Sequence, residues 1–256
     1  MLPQASSVQI EQVEGLPDGI ALYLCRFVSE GGEERLSKGR REQLDRERQL
    51  ILHLIQEALS LSTTPELAHH PSGAPFLPQH PEKSISISHA EGVVAVLLAP
   101  STYRLGVDVE RRRPQLLRVQ TKYLHDDELP MLLPCIPDEL TALTLLWSAK
   151  EALFKLLQPP SQSLLDFRLR DFSLLPSASG RIGLFPSASH PALRSSGCSS
   201  FAAPAQTSSS DFRLISSGLL TFEVSSSSSR LVPLSFSLHD DFLLTYCWTR
   251  ESEVDV

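Results

Sequence analysis

With 256 residues, 41% of them apolar and 21% charged, the chain has ordinary globular composition, which excludes wholesale disorder, collagen and a small disulfide scaffold. Its 30 Asp and Glu outnumber 23 Lys and Arg, for a net charge of −7. That balance excludes a dedicated nucleic-acid binder, because counterion release needs a concentrated field of Lys and Arg. The length lies between one and two domains of roughly 150 residues. Cys25, Cys135, Cys198 and Cys247 are scattered without CxxC or Cys/His spacing and read as reduced, mostly buried thiols. The polar N-terminus lacks the features of a signal peptide and no apolar run reaches membrane-span length, so the chain is expected in the cytoplasm.

In chain order, residues 33–61 become charged and then helical in period. Leu44, Ile51, Ile55 and Leu59 fall near one face, with Arg40, Arg41, Arg46 and Arg48 around it. The prolines of Thr63–Pro81 predict a shaped loop without regular elements. Ser84–Ser88 alternates as a half-buried strand, and Val93–Ala99 is apolar throughout, as in a strand covered on both faces; together they read as a hairpin. Leu105–Glu110 alternates again. Leu116–Leu129 predicts an amphipathic helix, ended by Pro130, Pro134 and Pro137. Asp138 opens a second helix, Glu139–Leu157, with Leu146, Ala149, Leu153 and Leu157 as its apolar stripe and Pro159-Pro160 as its stop. Phe167–Leu175, Leu219–Val224 and Leu234–Trp248 read as further strands, and Ser177–Ser210 and Ser225–Ser229 as serine-rich loops. Each half offers a helix followed by strands, a pattern compatible with two similar lobes.

Three segments can carry chemistry. In Gly106-Val107-Asp108-Val109-Glu110 the i and i+2 side chains share a face, so Asp108 and Glu110 project together while Val107 and Val109 enter the core. Paired carboxylates of this kind suit Mg²⁺, although any half-exposed strand shows the same alternation. In Trp147-Ser148-Ala149-Lys150-Glu151-Ala152-Leu153-Phe154-Lys155, a spacing of four aligns Trp147, Glu151 and Lys155 beside the apolar stripe; a routine Glu–Lys pair on a solvated face has that spacing too. Ser88-His89 ends a strand at a chain reversal, where a hydroxyl, an imidazole and backbone N–H groups can hold a phosphate or simply form a polar turn.

Taken in order, Ser88-His89, Gly106-x-Asp108-x-Glu110 and Trp147-x-x-Lys150-Glu151-Ala152-x-x-Lys155 resemble the 4′-phosphopantetheinyl transferase superfamily. The length is similar to that of its double-length, Sfp-like type. The resemblance covers residues 40–110 and 143–175 and is only general beyond them. It implies an α+β fold of two similar lobes with pseudo-twofold symmetry, each an antiparallel sheet packed against a long helix, with lobes at 1–103 and 104–256, the second carrying a serine-rich insertion at 177–210. The implied activity moves the 4′-phosphopantetheine arm of coenzyme A to a serine of an apo acyl carrier protein or a peptidyl or polyketide carrier domain, releasing 3′,5′-ADP.

By the same resemblance Asp108, Glu110 and Glu151 match Mg²⁺ ligands, and Glu151, directly or through a water, is the candidate base for the serine. Lys155 matches a lysine that contacts the pyrophosphate, and Ser88 and His89 match residues on coenzyme A phosphates. Arg48, or Arg46 in its place, matches an arginine that reaches the coenzyme. The double-length type implies a monomer without nucleic-acid or membrane partners. One departure is Gly73-Ala74-Pro75, where the family commonly has Gly-Lys-Pro: a phosphate-binding lysine is missing, and His69, His70 or Lys83 is a candidate to replace it. A degenerate member that binds coenzyme or carrier without turnover, and a Mg²⁺-dependent pyrophosphate hydrolase, are the alternatives. Arg111, Arg112 and Arg113, with Leu116, Leu117, Val119, Tyr123 and Leu124, are the candidate carrier-docking patch; a solvated charge run before a core-facing helix is the other reading.

Overall fold

The computed structural model describes residues 9–27, 38–159, 163–175, 214–224 and 230–253, with the side chains of 38–43 left aside. The serine-rich stretches 177–210 and 225–229, and the side chains of Arg40 and Arg41, therefore lie outside the described residues. The fold is α+β with antiparallel sheets. The strands are β1 (Gln9–Gln12), β2 (Ala21–Arg26), β3 (Ala68–His69), β4 (Pro75–Phe76), β5 (Lys83–Ala90), β6 (Val93–Pro100), β7 (Tyr103–Glu110), β8 (Phe167–Leu174), β9 (Leu214–Val224), β10 (Arg230–His239) and β11 (Leu243–Arg250). The helices are α1 (Lys38–Ala58), α2 (Leu116–Val119), α3 (Glu128–Leu132) and α4 (Glu139–Leu157).

One sheet has the order β1-β2-β6-β5 and a second the order β7-β11-β10-β9-β8, while β3 and β4 form a small ribbon. Although β7 follows β6 after a two-residue turn, it leaves the first sheet and pairs along its length with β11, from Tyr103 opposite Arg250 to Glu110 opposite Leu243. Within both sheets the same sub-order recurs: a strand, a helix of 21 or 19 residues, then a hairpin whose last strand pairs with the first, as β2-β6-β5 and as β7-β11-β10.

Alternation along the strands builds four layers. Leu50, Ile51, Leu54 and Ile55 of α1 pack on Cys25, Ile85, Val94, Val96 and Leu98. The other face of β2 and β6, with Leu22, Leu24, Val93, Ala95 and Leu97, meets Leu105, Val107, Val109, Leu244 and Tyr246 of the second sheet. The far side of that sheet carries Phe222, Leu234, Phe236 and Leu243 against Leu145, Leu146, Ala149 and Leu153 of α4. Strand β6 is thus apolar on both faces because each face lies in a different core, and every fully buried Leu or Val there contributes about 1.5–3 kcal/mol. The α1 stripe is shifted from the predicted one, with Leu50 and Leu54 buried and Leu44 half exposed.

Helix α4 has the predicted bounds for the predicted reasons. The Asp138 side chain accepts from the Thr141 N–H, and Gln158 closes the helix in a left-handed conformation just before the Pro159-Pro160 pair. The expected helix over Leu116–Leu129 is instead broken into α2, a single 3₁₀ turn and α3. Side chains take the backbone groups that would have continued it: Lys150 Nζ donates to Tyr123 O at 2.7 Å, and Glu128 Oε2 accepts from His125 N at 2.8 Å. The proline-rich loop does contain two short strands, paired through Ala68–Phe76 and His69–Pro75. Strands β1 and β2 are additional to the predicted elements, and β2 follows the alternation around Leu22 and Leu24, both fully buried. Cys25 and Cys247 are buried thiols, as expected. Cys135 is disulfide-bonded rather than reduced, and Cys198 lies outside the described residues. Among the described residues no helix is long and apolar enough to cross a membrane.

Candidate active site

The site is built where β7 passes under α4. Gly106, Asp108 and Glu110 lie on one face of β7 while Val107 and Val109 enter the core between the sheets. At Gly106 the helix backbone comes so close that a Cβ would sit 2.0 Å from the Ala152 carbonyl oxygen. Only glycine permits that approach, and it brings the helix side chains onto the two carboxylates beside it.

Asp108 is almost fully buried. Its Oδ1 accepts from Ser88 Oγ and from Lys155 Nζ, each at 2.9 Å, and Lys155 also donates to the Val107 carbonyl at 2.9 Å. Its Oδ2 is buried with no hydrogen-bond partner. Glu110 Oε1 accepts from Trp147 Nε1 at 3.0 Å and from Arg113 Nη2 at 2.6 Å, and the indole ring stands edge-on to Tyr123. Burial first, and then the Asp108 charge, push the Glu110 carboxyl up to about 7, against the opposing pull of Arg113 and the Trp147 hydrogen bond. The Glu151 carboxyl is raised for the same two reasons, with Lys155 and Arg113 pulling the other way.

These three carboxylates are thus close enough to perturb one another, and burial holds two of them above their usual range. The donor chemistry fits a hard divalent cation: three carboxylates, two held above their usual range, and one oxygen buried without a partner. In their present arrangement Lys155, Arg113 and Trp147 serve as counter-charges and donors. Among the described residues no three His, Cys, Asp or Glu side chains form a ready-made cluster for a metal ion.

Beside this junction lies a cleft of about 1010 Å³. Glu151 and Lys155 line it from α4, Arg48 from α1, Lys83 and His89 from β5, and His69 and His70 from the β3–β4 ribbon. Of the two candidate arginines Arg48 faces this space, whereas Arg46 lies over the Phe27 ring at 5.9 Å. His89 Nδ1 is 3.2 Å from Glu47 Oε2 of α1. Ala74 lines the cleft without a charge, and Lys83, His69 and His70 line the same cleft. Ser88 is not among the lining residues; its hydroxyl points into the seam between β5 and β7, where it also accepts from Val109 N at 3.2 Å.

The arginine run is differently employed from the patch proposed on sequence. Arg112 donates to Thr141 Oγ1 and to the carbonyls of Asp240 and His239, and Arg111 donates to the Glu91 carbonyl and pairs with Asp241. Both fasten the end of β7 to the β10–β11 turn. Leu116 and Tyr123 are core residues, so of the named patch Leu117 and Arg113 are the ones well exposed. A buried ion pair that spacing alone did not single out supports the whole arrangement. Lys150 Nζ lies 2.7 Å from Glu128 Oε2, with both side chains fully buried, and Glu128 Oε1 accepts from Leu169 N at 2.7 Å. Its signal was available: Lys150 sits on the Leu146–Leu153 side of α4, where a lysine needs a buried partner.

Residues 104–205 match the family model of the 4′-phosphopantetheinyl transferase superfamily. The matched stretch begins at β7 and takes in Asp108, Glu110, Glu151 and Lys155. No curated protein matches the chain.

Proposed function

We propose that the chain is a Mg²⁺-dependent 4′-phosphopantetheinyl transferase that moves the phosphopantetheine arm of coenzyme A onto a carrier-protein serine and releases 3′,5′-ADP. The observation that carries the reading is the unpartnered, buried Oδ2 of Asp108 beside two carboxylates whose protonation is favoured, at the edge of a cleft with a basic wall. The matched family model supports the reaction class. The recurrent strand–helix–hairpin order supports a two-lobe, pseudo-twofold chain of the Sfp-like type, with lobes 1–103 and 104–256, and we propose that it acts as a cytoplasmic monomer.

Asp108, Glu110 and Glu151 would hold Mg²⁺, whose chemistry is to neutralise charge on the pyrophosphate oxygens and so favour in-line displacement. The protein's own groups do the rest. Glu151, on the cleft wall, accepts the proton of the incoming serine hydroxyl, directly or through a water. The Lys155 ammonium, held between Asp108 and the Val107 carbonyl, lies on the same wall and can turn to the pyrophosphate as negative charge grows there. Arg48 and His89 hold coenzyme phosphates, and Lys83 with His69 and His70 takes the place of the lysine missing at Ala74.

Incubation of the chain with coenzyme A, Mg²⁺ and a panel of apo carrier proteins tests this. A phosphopantetheine mass increment on a carrier, lost in Asp108→Ala and Glu151→Ala, is the expected result. Coenzyme binding without the increment on any carrier favours the non-transferring reading, and 3′,5′-ADP release without an acceptor favours the hydrolase.

A further inference from the structure

The edge strands β5 and β7 belong to different sheets and lie side by side without a backbone ladder between them; serine hydroxyls take its place. Ser86 Oγ accepts from Val107 N at 3.1 Å, and Ser88 Oγ accepts from Val109 N at 3.2 Å. Both serines are buried. Only Ser88 spends its own proton on a carboxylate, donating to Asp108 Oδ1 at 2.9 Å. With Lys155 on the same oxygen, Oδ1 is fully engaged and Oδ2 is left without a partner.

We propose that Ser88 is a positioning residue: it fixes the Asp108 carboxylate on the β5–β7 seam, so that Oδ2 is the oxygen left to meet a divalent cation, and it does not itself bind coenzyme phosphate. The inference rests on the metal role of Asp108 proposed above. Its physical basis is the division of labour at the hydroxyl. A serine has one proton, and here that proton goes to Asp108 while a lone pair takes the Val109 N–H, which leaves no donor for a phosphate oxygen. A hydrogen bond that orients a ligating carboxylate is worth roughly 10-fold or more in metal affinity.

Ser86 supplies an internal control, because it bridges the same two strands without touching Asp108. The experiment titrates Mn²⁺ into the whole protein by electron paramagnetic resonance and measures KM for coenzyme A and for the metal in the same variants. Ser88→Ala is expected to weaken Mn²⁺ binding roughly 10-fold and to raise the KM for metal with little change in that for coenzyme A. Ser88→Thr, which keeps the hydroxyl, should recover the affinity. Ser86→Ala should lower the melting temperature while holding Mn²⁺ affinity. A Ser88→Ala variant with unchanged Mn²⁺ affinity and a raised coenzyme KM would make Ser88 a phosphate ligand and overturn the proposal; so would equal loss of Mn²⁺ affinity in both serine variants. Should Ser88→Ala fail to fold, Ser88→Cys, a poorer donor of similar size, carries the same comparison. Failure of the transferase reading itself is seen separately, as no specific Mn²⁺ binding in wild type or no effect of Asp108→Asn on it.

Discussion

Gly106 and Ala152 are in backbone contact: a Cβ on the strand residue would lie 2.0 Å from the carbonyl oxygen and 2.9 Å from the carbonyl carbon of the helix residue. Those atoms cannot yield as a flexible side chain would, so Gly106→Ala must push α4 away from β7. Overpacking of this kind costs about 1–3 kcal/mol. The displaced element carries Glu151 and Lys155, so a second loss is expected in the site. Urea unfolding should show a midpoint decrease of that size, and transfer rates should fall by at least 10-fold even under conditions where the variant is fully folded. A variant with wild-type stability and rate would show that the helix does not depend on this approach.

The ion pair of Lys150 and Glu128 is the second element that sets α4. Burial pulls the Lys150 ammonium below its usual range, and the Glu128 carboxylate opposes that pull. Removing one member leaves a charge in a dry core, which costs about 3–5 kcal/mol. Lys150→Met should therefore be severely destabilised in chemical unfolding. The double variant Lys150→Met/Glu128→Leu should recover part of the loss, because no uncompensated charge remains. A Lys150→Met loss below about 1 kcal/mol would contradict the role given to the pair.

How much of this was legible in the residues themselves varies with the kind of contact involved. Helix α4 could be read in full because its signals are local: Asp138 to cap it, a clear stripe, and a proline pair to end it. The strand alternation likewise gave the correct face for Asp108 and Glu110. What lay on the other side of that face could not be read. Spacing along β7 contains nothing about Ser88, Lys155 or Trp147, which arrive from β5 and α4, nor about the exit of β7 into a second sheet. The same limit explains the arginine run. Three consecutive arginines suggest solvent, but the β10–β11 turn offers the carbonyls of His239 and Asp240, far off in sequence, and Arg112 is spent on them. The broken helix after Leu116 has this origin in part, since Lys150, which takes the Tyr123 carbonyl, arrives from α4, whereas the Glu128 contact to His125 N is local.

Glu110 provides a pH dependence with a definite sign. Its carboxyl is raised from 4.5 to about 7 in the folded chain without a metal ion, so between those values the unfolded chain holds fewer protons than the folded one. Stability from this group is fully present below 4.5 and is lost as pH rises through about 7. The span corresponds to on the order of 3 kcal/mol, an upper bound for a side chain with residual solvent contact. Unfolding free energies in chelator at pH 5 and pH 8 should fall more steeply with pH for wild type than for Glu110→Gln. Mg²⁺, which prefers the ionised carboxylates, should reduce the slope in wild type. Equal slopes for the two proteins would show that burial of Glu110 is not felt in stability.

Lys83 and Ala74 test the basic wall of the cleft. Position 74 carries no charge in this chain, and Lys83 at the start of β5 lines the same space together with His69 and His70. A lysine that makes a charge-assisted hydrogen bond to phosphate is worth about 1.5–3 kcal/mol, or roughly 10-fold and upward in affinity. Lys83→Ala should raise the KM for coenzyme A by that factor with kcat held within about twofold, the pattern of a lost binding contact that is equal in ground and transition states. Dephospho-coenzyme A identifies the group recognised. If Lys83 meets the 3′-phosphate, the variant should use coenzyme A and its dephospho form with similar KM, and Ala74→Lys introduced beside Lys83→Ala should restore the preference for coenzyme A. Equal increases in KM for both compounds would instead place Lys83 on another part of the coenzyme, and no increase for either would remove it from the binding wall.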